Sequence, residues 1–429
     1  MSPYAAIVRN TAWLFAGRIL SLGITLVVTV VLARRLGLIG LGEYAFVAAV
    51  VILANVATTF GTDMVLMREV AAGGPMTRWS AALAIQLGLS LGAIGLIWLA
   101  APLIPGQNAR VVDALRIYGL SLIPSALFSV CTAALRGGGR MGWQAVTGVT
   151  AASIQLVAAW LFIAPGMRLD SVAIVLLAVQ LADGALAWLV CASLFPAFRG
   201  LPRVSATEVT RMIGSTVPIG LLGLLGVLYQ RAGMLVLAVA AGPAGTGWFA
   251  GASRIVEGSK TGHVAFFAAL YPLLARAHAG VDDRDMDAIA RSRLLSVLGA
   301  AALSVALIAA SPLLIDLLYG PAFAPSAAGL SVLALAIVPS TLATFSTLEL
   351  VAAHREGFTV RALAISLAVL GGLLAVLIPL LGWVGACWAI VGAELVQAGT
   401  LLLVRRRVLA GAASGTRTVS LGHVPEGVG

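Results

Sequence analysis

The sequence contains little charge, few cysteines and almost no lysine. Charged residues make up 10% of the 429 positions, and 26 of the 27 basic residues are arginine. Soluble globular domains carry roughly 25% charged residues, so a soluble fold is excluded for most of the chain. The cysteines at positions 131, 191 and 387 lie inside apolar segments without a CxxC spacing. This pattern indicates small core residues rather than a disulfide framework or a metal site.

Motifs that carry catalysis or hold a cofactor are also missing. The sequence has no HExxH, Walker A, dinucleotide-binding or GxSxG pattern, and its four histidines have no metal-ligand spacing. Residues 282–287 contain DxD patterns, which hold a metal in glycosyltransferases. Acids at a helix start, followed by Arg291 and Arg293, instead fit a solvated helix whose dipole they complement. We therefore expect no cofactor, no metal and no enzymatic activity.

Long apolar segments fill most of the chain. Hydrophobic residues make up 60% of it, and the mean hydropathy is +1.04. About 20 apolar residues span the hydrocarbon as a helix, and the bilayer requires every backbone hydrogen bond to close within such segments. Twelve windows fit, at residues 11–33, 44–66, 80–101, 115–135, 145–164, 172–195, 213–240, 248–274, 294–318, 327–350, 358–380 and 383–404. The sequence predicts an all-α integral membrane protein with about twelve transmembrane helices.

The basic residues are distributed unevenly between the predicted loops. If the N-terminus is cytoplasmic and the spans alternate, 18 of the 27 basic residues lie on the cytoplasmic side. Five lie on the other side, at positions 34, 35, 110, 116 and 168, and four lie within spans. This bias follows the positive-inside rule and explains the net charge of +10 without nucleic acid. We expect a bacterial inner-membrane protein with a retained first helix and both termini in the cytoplasm.

The two halves of the sequence resemble each other. Three pairs of segments recur in the same order at offsets of 205, 210 and 215 residues: 37–42 with 242–247, 101–104 with 311–314, and 124–127 with 339–342. The last offset also carries Arg140 onto Arg355. This order predicts a duplicated six-helix unit, as in many transporters. We expect one lobe over residues 1–200, a second over 201–408, and a flexible cytoplasmic tail over 409–429.

Charged residues inside the spans are candidates for a functional site. A charge at the centre of a spanning helix costs about 2.5–3.5 kcal/mol on insertion scales, so it faces a cavity, has a counter-ion, or both. The cations are Arg18, Arg231, Arg254 and Lys260, and the acids are Asp63, Asp183, Glu257, Glu349 and Glu394. We expect the cations to bind substrate. The acids are candidates for ion coupling, with a structural hydrogen-bonding role as the alternative.

Two polar stripes recur at the same spacing in the second and eighth spans. Asn55, Thr58 and Thr62 share one helix face, and Arg254, Glu257 and Thr261 share another. We expect both stripes to line a central path for substrate. The alternative is that the charges of the eighth span neutralise each other within one helix, and that the threonines bond to their own helix backbone.

Several segments of the chain resemble a known family. The segments are Arg34 to Tyr44, Gly61 to Ala71, Leu135-Arg136-Gly137 and Leu318-Tyr319-Gly320-Pro321-Ala322-Phe323. They look like polysaccharide-biosynthesis membrane proteins, the Wzx-type oligosaccharide flippases of the multidrug/oligosaccharidyl-lipid/polysaccharide (MOP) superfamily. The resemblance covers residues 8–405. One departure is the stretch Gln230-Arg231-Ala232-Gly233, because relatives often place an acid after the arginine.

The resemblance implies twelve helices in two lobes and the movement of undecaprenyl-diphosphate-linked glycans to the outer leaflet by alternating access. The implied partners are the lipid-linked glycan, membrane lipid, and the polysaccharide polymerase and glycosyltransferases that use the same substrate. Arginine suits a diphosphate because its forked donors match phosphate oxygens. The first alternative function is a multidrug or small-solute antiporter, which shares the fold but places acids at its binding site. The second, less favoured alternative is a membrane glycan polymerase or acyltransferase, which usually has a large external loop or an intramembrane histidine.

Overall fold

The structure is a computed structural model that describes residues 3–200, 204–278, 283–352 and 355–417. Its side chains are described over 16–200, 204–260, 289–352, 355 and 357–406. Over the described residues the chain forms fourteen α-helices and no strand. They are α1 Pro3–Thr59, α2 Thr62–Ala71, α3 Trp79–Ala100, α4 Ala109–Gly119, α5 Leu122–Gly137, α6 Met141–Phe162, α7 Leu169–Leu194, α8 Ala206–Ala240, α9 Gly242–His278, α10 Asp283–Tyr319, α11 Ser326–Ala334, α12 Ile337–Ala352, α13 Glu356–Leu381 and α14 Trp383–Arg417.

The helices confirm an all-α membrane fold. Ten stretches of the described residues are long and apolar enough to cross a bilayer. The first, Ala16–Thr59, is 44 residues long and overlaps two predicted spans. Gly37, with a φ of 69° and a ψ of −174°, interrupts helix α1 between them. The predicted window 248–274 lies in α9, whose side chains beyond residue 260 are outside the description. The total of twelve spans therefore stays a prediction.

The second predicted span is broken near its end. Phe60 and Gly61 both have positive φ values, of 41° and 76°, and they separate α1 from α2. A Cβ on Gly61 would lie 2.9 Å from the backbone nitrogen of Gly220 in α8, so α8 approaches this break backbone to backbone. Pro218 lies two residues earlier inside α8 and removes one backbone donor there. A hydropathy profile contains no signal for this close contact between α8 and the break in α1.

The same backbone turns recur at the offset of 215 residues that the sequence suggested. A short turn separates α4 from α5, and a matching turn separates α11 from α12: the N–H of Leu120 donates to the carbonyl oxygen of Ile117, and that of Leu335 to Val332. The next helix of each half begins after a bond between residues five apart. There the N–H of Arg140 donates to the carbonyl oxygen of Leu135, and that of Arg355 to Leu350. These turns support a duplicated unit. The boundaries of the two lobes and of the tail stay predictions, and residues 418–429 lie outside the described chain.

The glycines that the repeat pairs with each other meet in space. A Cβ on Gly42 would collide with the carbonyl oxygen of Pro243, and a Cβ on Gly247 would collide with the carbonyl oxygen of Leu38. Helices α1 and α9 therefore touch backbone to backbone at this point, which we call the Gly42 end of the bundle. Only glycine permits so close an approach. The predicted halves are thus in direct contact where the first and second spans connect.

Two adjacent arginines fasten α1 to both predicted halves at the Gly42 end. Arg34 donates from Nε to the carbonyl oxygen of Leu318, at 2.9 Å, at the end of α10. Arg35 donates from Nη1 to the carbonyl oxygen of Ile163, at 3.1 Å, just after α6. The last carbonyls of a helix lack partners within it, and cations there complement the helix dipole. These residues belong to the segment on which the family resemblance rests.

The three cysteines lie in the interior, as expected for small core residues. Cys131, Cys191 and Cys387 are unbridged and buried. Trp79 is buried at the start of α3, stacks on Phe198 with 4.7 Å between ring centroids, and donates from Nε1 to the carbonyl oxygen of Ala197. Together these contacts fix the start of α3 against the end of α7.

Candidate functional site

A cleft opens between helices α1, α8 and α9, next to the Gly42 end. Its free space, including the part open to solvent, is about 430 Å³. The segments of α1 on both sides of Gly37 line it together with α8 and α9. The lining residues are Thr29, Leu41, Tyr44, Ala45, Ala48, Ala49, Ile52, Arg231, Met234, Ala250, Ser253, Arg254 and Glu257. Both predicted halves thus contribute to one cavity, and small alanines on α1 leave space in it.

Three charged side chains in the lining of this cavity contact each other. Arg231 donates from Nη1 to Oε1 of Glu257 at 3.2 Å, and Arg254 donates from Nη1 to Oε2 of Glu257 at 3.2 Å. One carboxylate therefore bridges two guanidinium groups, which leaves the triplet with one net positive charge. We call Arg231, Arg254 and Glu257 the arginine–glutamate triplet.

Spacing along the helices explains why the triplet assembles. Arg254 and Glu257 are three residues apart on α9 and share a face, whereas Arg231 comes from α8. Arg254 also donates from Nε to Oγ1 of Thr29 on α1, at 3.2 Å. The sequence offered neutralisation within one helix and cavity lining as alternatives, and the structure combines them. Arg254 and Glu257 of α9 pair with each other and still face the cleft.

Burial and unused donors make the triplet a candidate anion site. The side chains of Arg231, Arg254 and Glu257 are 17%, 30% and 39% exposed. The Nε of Arg231 is buried and has no hydrogen-bond partner in the described part of the chain. Arginine donors arranged in a fork match the oxygens of a phosphate. The Nε of Arg231 is thus one donor of the triplet that no described group of the protein uses.

The other predicted cations lie outside the lining of the cleft. Arg18 is exposed on α1, eleven residues before Thr29 and therefore on the same helix face, about 16 Å along the axis. Lys260 forms an ion pair with Glu394 of α14 at 2.8 Å. The side chain of Thr261 lies outside the described residues. Their roles in substrate binding stay predictions.

The polar stripe of the second span is mostly buried in the protein. Thr58 and Thr62 are buried and donate to carbonyl oxygens three residues earlier in the chain. Thr62 also accepts a hydrogen bond of 2.7 Å from Nε2 of Gln86 in α3. Asn55 follows the cavity-lining Ala48 by seven residues and therefore continues its helix face. None of the three stripe residues is among the cleft's described lining, and their contact with substrate stays a prediction.

The five predicted acids fall into two groups. Four have ion pairs: Glu257 in the triplet, Asp63 with Arg136, Glu349 with Arg405, and Glu394 with Lys260. Asp183 is 6% exposed and has neither an ion pair nor a hydrogen bond among the described residues, and its Oδ1 is buried without a partner. The sequence could not supply Arg136 and Arg405 as partners, because both were counted as loop residues.

The structure also adds residues that the sequence reasoning missed. Thr29 and Tyr44 line the cleft, and neither was a candidate. Thr29 could have been found because it shares a face with Arg18. Among the described residues, no group of three or more metal-ligating side chains comes together. The acidic segment 282–287 lies outside the described side chains.

The geometry can be compared with that of known proteins. Residues 7–278, more than half of the chain, match the polysaccharide biosynthesis protein family. A comparison with curated proteins gives no significant match. An inward-facing multidrug resistance MATE family transporter of the MOP superfamily superposes with a TM-score of 0.74 at 16% identity, covering 92% of this chain and 96% of that one.

Two further solved structures share the architecture. The lipid II flippase MurJ, in an inward closed conformation, has a TM-score of 0.72 at 13% identity, with coverage of 93% of this chain and 87% of MurJ. A MOP superfamily transporter from Pyrococcus furiosus has a TM-score of 0.68 at 15% identity, covering 94% and 95% of the two chains. At such identities the likeness establishes the fold, and the family match confirms the resemblance seen in the sequence. The chain is therefore a multi-pass membrane protein of the polysaccharide biosynthesis family, with the transporter fold of the MOP superfamily.

Proposed function

We propose that this protein is a flippase that moves an undecaprenyl-diphosphate-linked oligosaccharide from the inner to the outer leaflet. The observation that carries this proposal is the arginine–glutamate triplet in a cleft between the predicted halves. A net cation there suits a lipid diphosphate. The family match and the likeness to MurJ and to MATE transporters support a membrane transporter.

The site favours an anionic cargo over a cationic drug. Glu257 is the only acid among the described side chains that line the cleft, and two guanidinium groups already contact it. A cationic drug would have to compete with both arginines for this carboxylate. A diphosphate would instead bind the arginines, the glycan would occupy the cleft, and the prenyl chain would stay in lipid between the halves. Alternating opening of the cleft towards each side would complete the transfer.

We infer that transport is driven by an ion gradient or by consumption of the product outside the cell, since the sequence has no nucleotide-binding motif. Asp183 is the best candidate for ion coupling, because a buried carboxylate without a partner is costly and is stabilised by taking up a cation or a proton. A polysaccharide polymerase and glycosyltransferases that act on the same lipid-linked glycan are the proposed partners.

The proposed orientation places both termini in the cytoplasm. The positive-inside bias supports it. Single cysteines at the exposed positions Arg110 and Arg140 test it, because the three native cysteines are buried. An impermeant maleimide added to intact cells should label Arg110→Cys and leave Arg140→Cys unlabelled. The opposite pattern would invert the topology.

Flipping is tested in proteoliposomes that carry a fluorescent polyprenyl-diphosphate disaccharide. An impermeant reductant bleaches only the outer leaflet, so flipping appears as additional bleaching over time. The wild-type protein should flip the probe, and the double variant Arg231→Ala/Arg254→Ala should bleach as slowly as protein-free vesicles. A double variant that flips at the wild-type rate would reject the triplet as the substrate site.

A further inference from the structure

We propose that Glu257 is an internal counter-anion that occupies the diphosphate site in the empty protein and is displaced by the substrate. This inference rests on the proposed function and concerns the regulation of the same site. It assigns to Glu257 a role in substrate release and in the return of the empty protein, rather than in ion coupling alone.

The geometry of the triplet is that of a bound oxyanion. Each carboxylate oxygen of Glu257 contacts the Nη1 of a different arginine, and both contacts measure 3.2 Å. A phosphate also presents pairs of oxygens to guanidinium groups. Glu257 therefore uses the donors that a diphosphate would use, and the two anions cannot hold the same donors together.

The three side chains of the triplet differ in exposure. Arg231 is the most buried member, at 17% exposure, and Arg254, at 30%, also donates to Thr29 on α1. Glu257 is the most exposed, at 39%. An incoming anion therefore reaches the carboxylate more readily than it reaches the buried donors of Arg231. The acid is thus the member of the triplet that we expect to move when the substrate binds.

An exchangeable carboxylate also answers an energetic requirement of the cycle. Two arginines without a counter-ion in a poorly hydrated cleft would resist the return of the empty protein. Glu257 neutralises one of the two positive charges after the substrate leaves. The same competition weakens the binding of the diphosphate enough for its release on the outer side.

A structural ion pair and an exchangeable counter-anion predict different effects of removing the charge. If Glu257 only held α8 to α9, Glu257→Gln would loosen the site and weaken anion binding. If Glu257 competes with the substrate, the same variant strengthens anion binding. Because a neutral amide competes less well than a carboxylate for the two guanidinium groups, the gain should be roughly tenfold in affinity, which corresponds to about 1.4 kcal/mol.

The test is calorimetric titration of full-length protein in nanodiscs with inorganic diphosphate. Glu257→Gln should bind about tenfold more tightly than wild type, and Glu257→Asp, which keeps the charge on a shorter arm, should fall between them. Asp63→Asn is the matched control, because it removes the same charge from the ion pair with Arg136 outside the cleft lining. Its affinity for diphosphate should equal that of wild type.

The failures of the two proposals can be told apart. If Arg254→Ala binds diphosphate as wild type does, the triplet is not the diphosphate site and the proposed function loses its main support. If Arg254→Ala weakens binding but Glu257→Gln does not strengthen it, the counter-anion role alone is overturned. Should Glu257→Gln fail to fold, an affinity of Glu257→Asp at or below that of wild type overturns it equally.

Discussion

The second helical segment of α1 and helix α9 carry polar residues at the same spacing, yet they use them differently. In α1, Thr58 and Thr62 bond to their own chain, and Thr62 accepts from Gln86 inside the N-terminal half. In α9, Arg254 and Glu257 face the cleft and recruit Arg231 from α8. Spacing alone therefore identifies a helix face but not the surface that this face meets.

The difference lies in what each side chain needs. A threonine hydroxyl is satisfied by a backbone carbonyl of its own helix, so it can be buried between packed helices. A guanidinium has five donors and a full charge, which the backbone of its own helix cannot satisfy. Charged members of a stripe thus face a cleft or bring a counter-ion from another helix. In these two stripes Arg254 and Glu257 line the cleft, whereas Thr58 and Thr62 do not.

The largest effect is expected for the charged stripe. Arg254→Ala should lower the affinity for the lipid diphosphate about ten- to a hundredfold, because it removes a charge-assisted contact worth about 1.5–3 kcal/mol. Arg254→Lys should rescue only part of the affinity, since lysine lacks the forked donors. The flipping rate of both variants is measured in proteoliposomes, and their abundance in the membrane is measured alongside it. Normal flipping by Arg254→Ala would remove the contrast between the two stripes.

The opposite pattern is expected for the buried stripe. Thr62→Val removes the 2.7 Å acceptor of Gln86 Nε2 and leaves only its longer 3.4 Å bond to Ser129. One buried N–H then lacks an acceptor, which costs about 1–3 kcal/mol. The melting temperature in detergent should fall while the flipping rate of the folded protein stays at the wild-type value. Thr62→Ser keeps the hydroxyl and is the control. A specific loss of flipping without a loss of stability would return this stripe to the substrate path.

Much of the fold could be predicted from the sequence, and the exceptions have physical causes. Hydropathy finds apolar helices because a span has to be both long and apolar, and eleven of the twelve predicted windows overlap stretches of the described chain that can span a membrane. It missed the break at Phe60 and Gly61, since that break depends on the close approach of Gly220 from a distant helix. The repeat in the sequence pairs Arg140 with Arg355, and the same backbone hydrogen bond precedes the next helix at both positions.

The candidate site was predictable in kind but not in its partners. Arg231, Arg254 and Glu257 were found because charges in hydrocarbon need an explanation. Their pairing across α8 and α9, and the contact of Arg254 with Thr29, depend on helix packing that no spacing rule contains. Arg405 was assigned to a loop, yet it contacts the buried Glu349.

A smaller effect is expected for the acid that lacks a partner in the described chain. Asp183→Asn keeps the shape of the buried side chain and removes its charge, so stability should stay equal or rise. Binding of inorganic diphosphate should not change, because Asp183 is not among the described residues lining the cleft. Stimulation of flipping by an imposed proton or sodium gradient should be lost. Full stimulation in this variant would assign coupling to another acid.

The smallest expected effect lies where the two halves meet. Thr29, in the N-terminal half, accepts a hydrogen bond from Arg254. Thr29→Val should therefore weaken diphosphate binding about three- to tenfold, because one hydrogen bond contributes roughly 0.5–1.5 kcal/mol. Thr29→Ser should bind like wild type. Thr25→Val, one turn away on the same helix, is the matched control. It removes a hydroxyl that, among the described residues, bonds to the carbonyl oxygen of Ser21 in its own helix. Equal weakening by both valine variants would point to a change in α1 itself, whereas an effect of Thr29→Val alone would show that this hydroxyl of the N-terminal half helps to hold Arg254 in position.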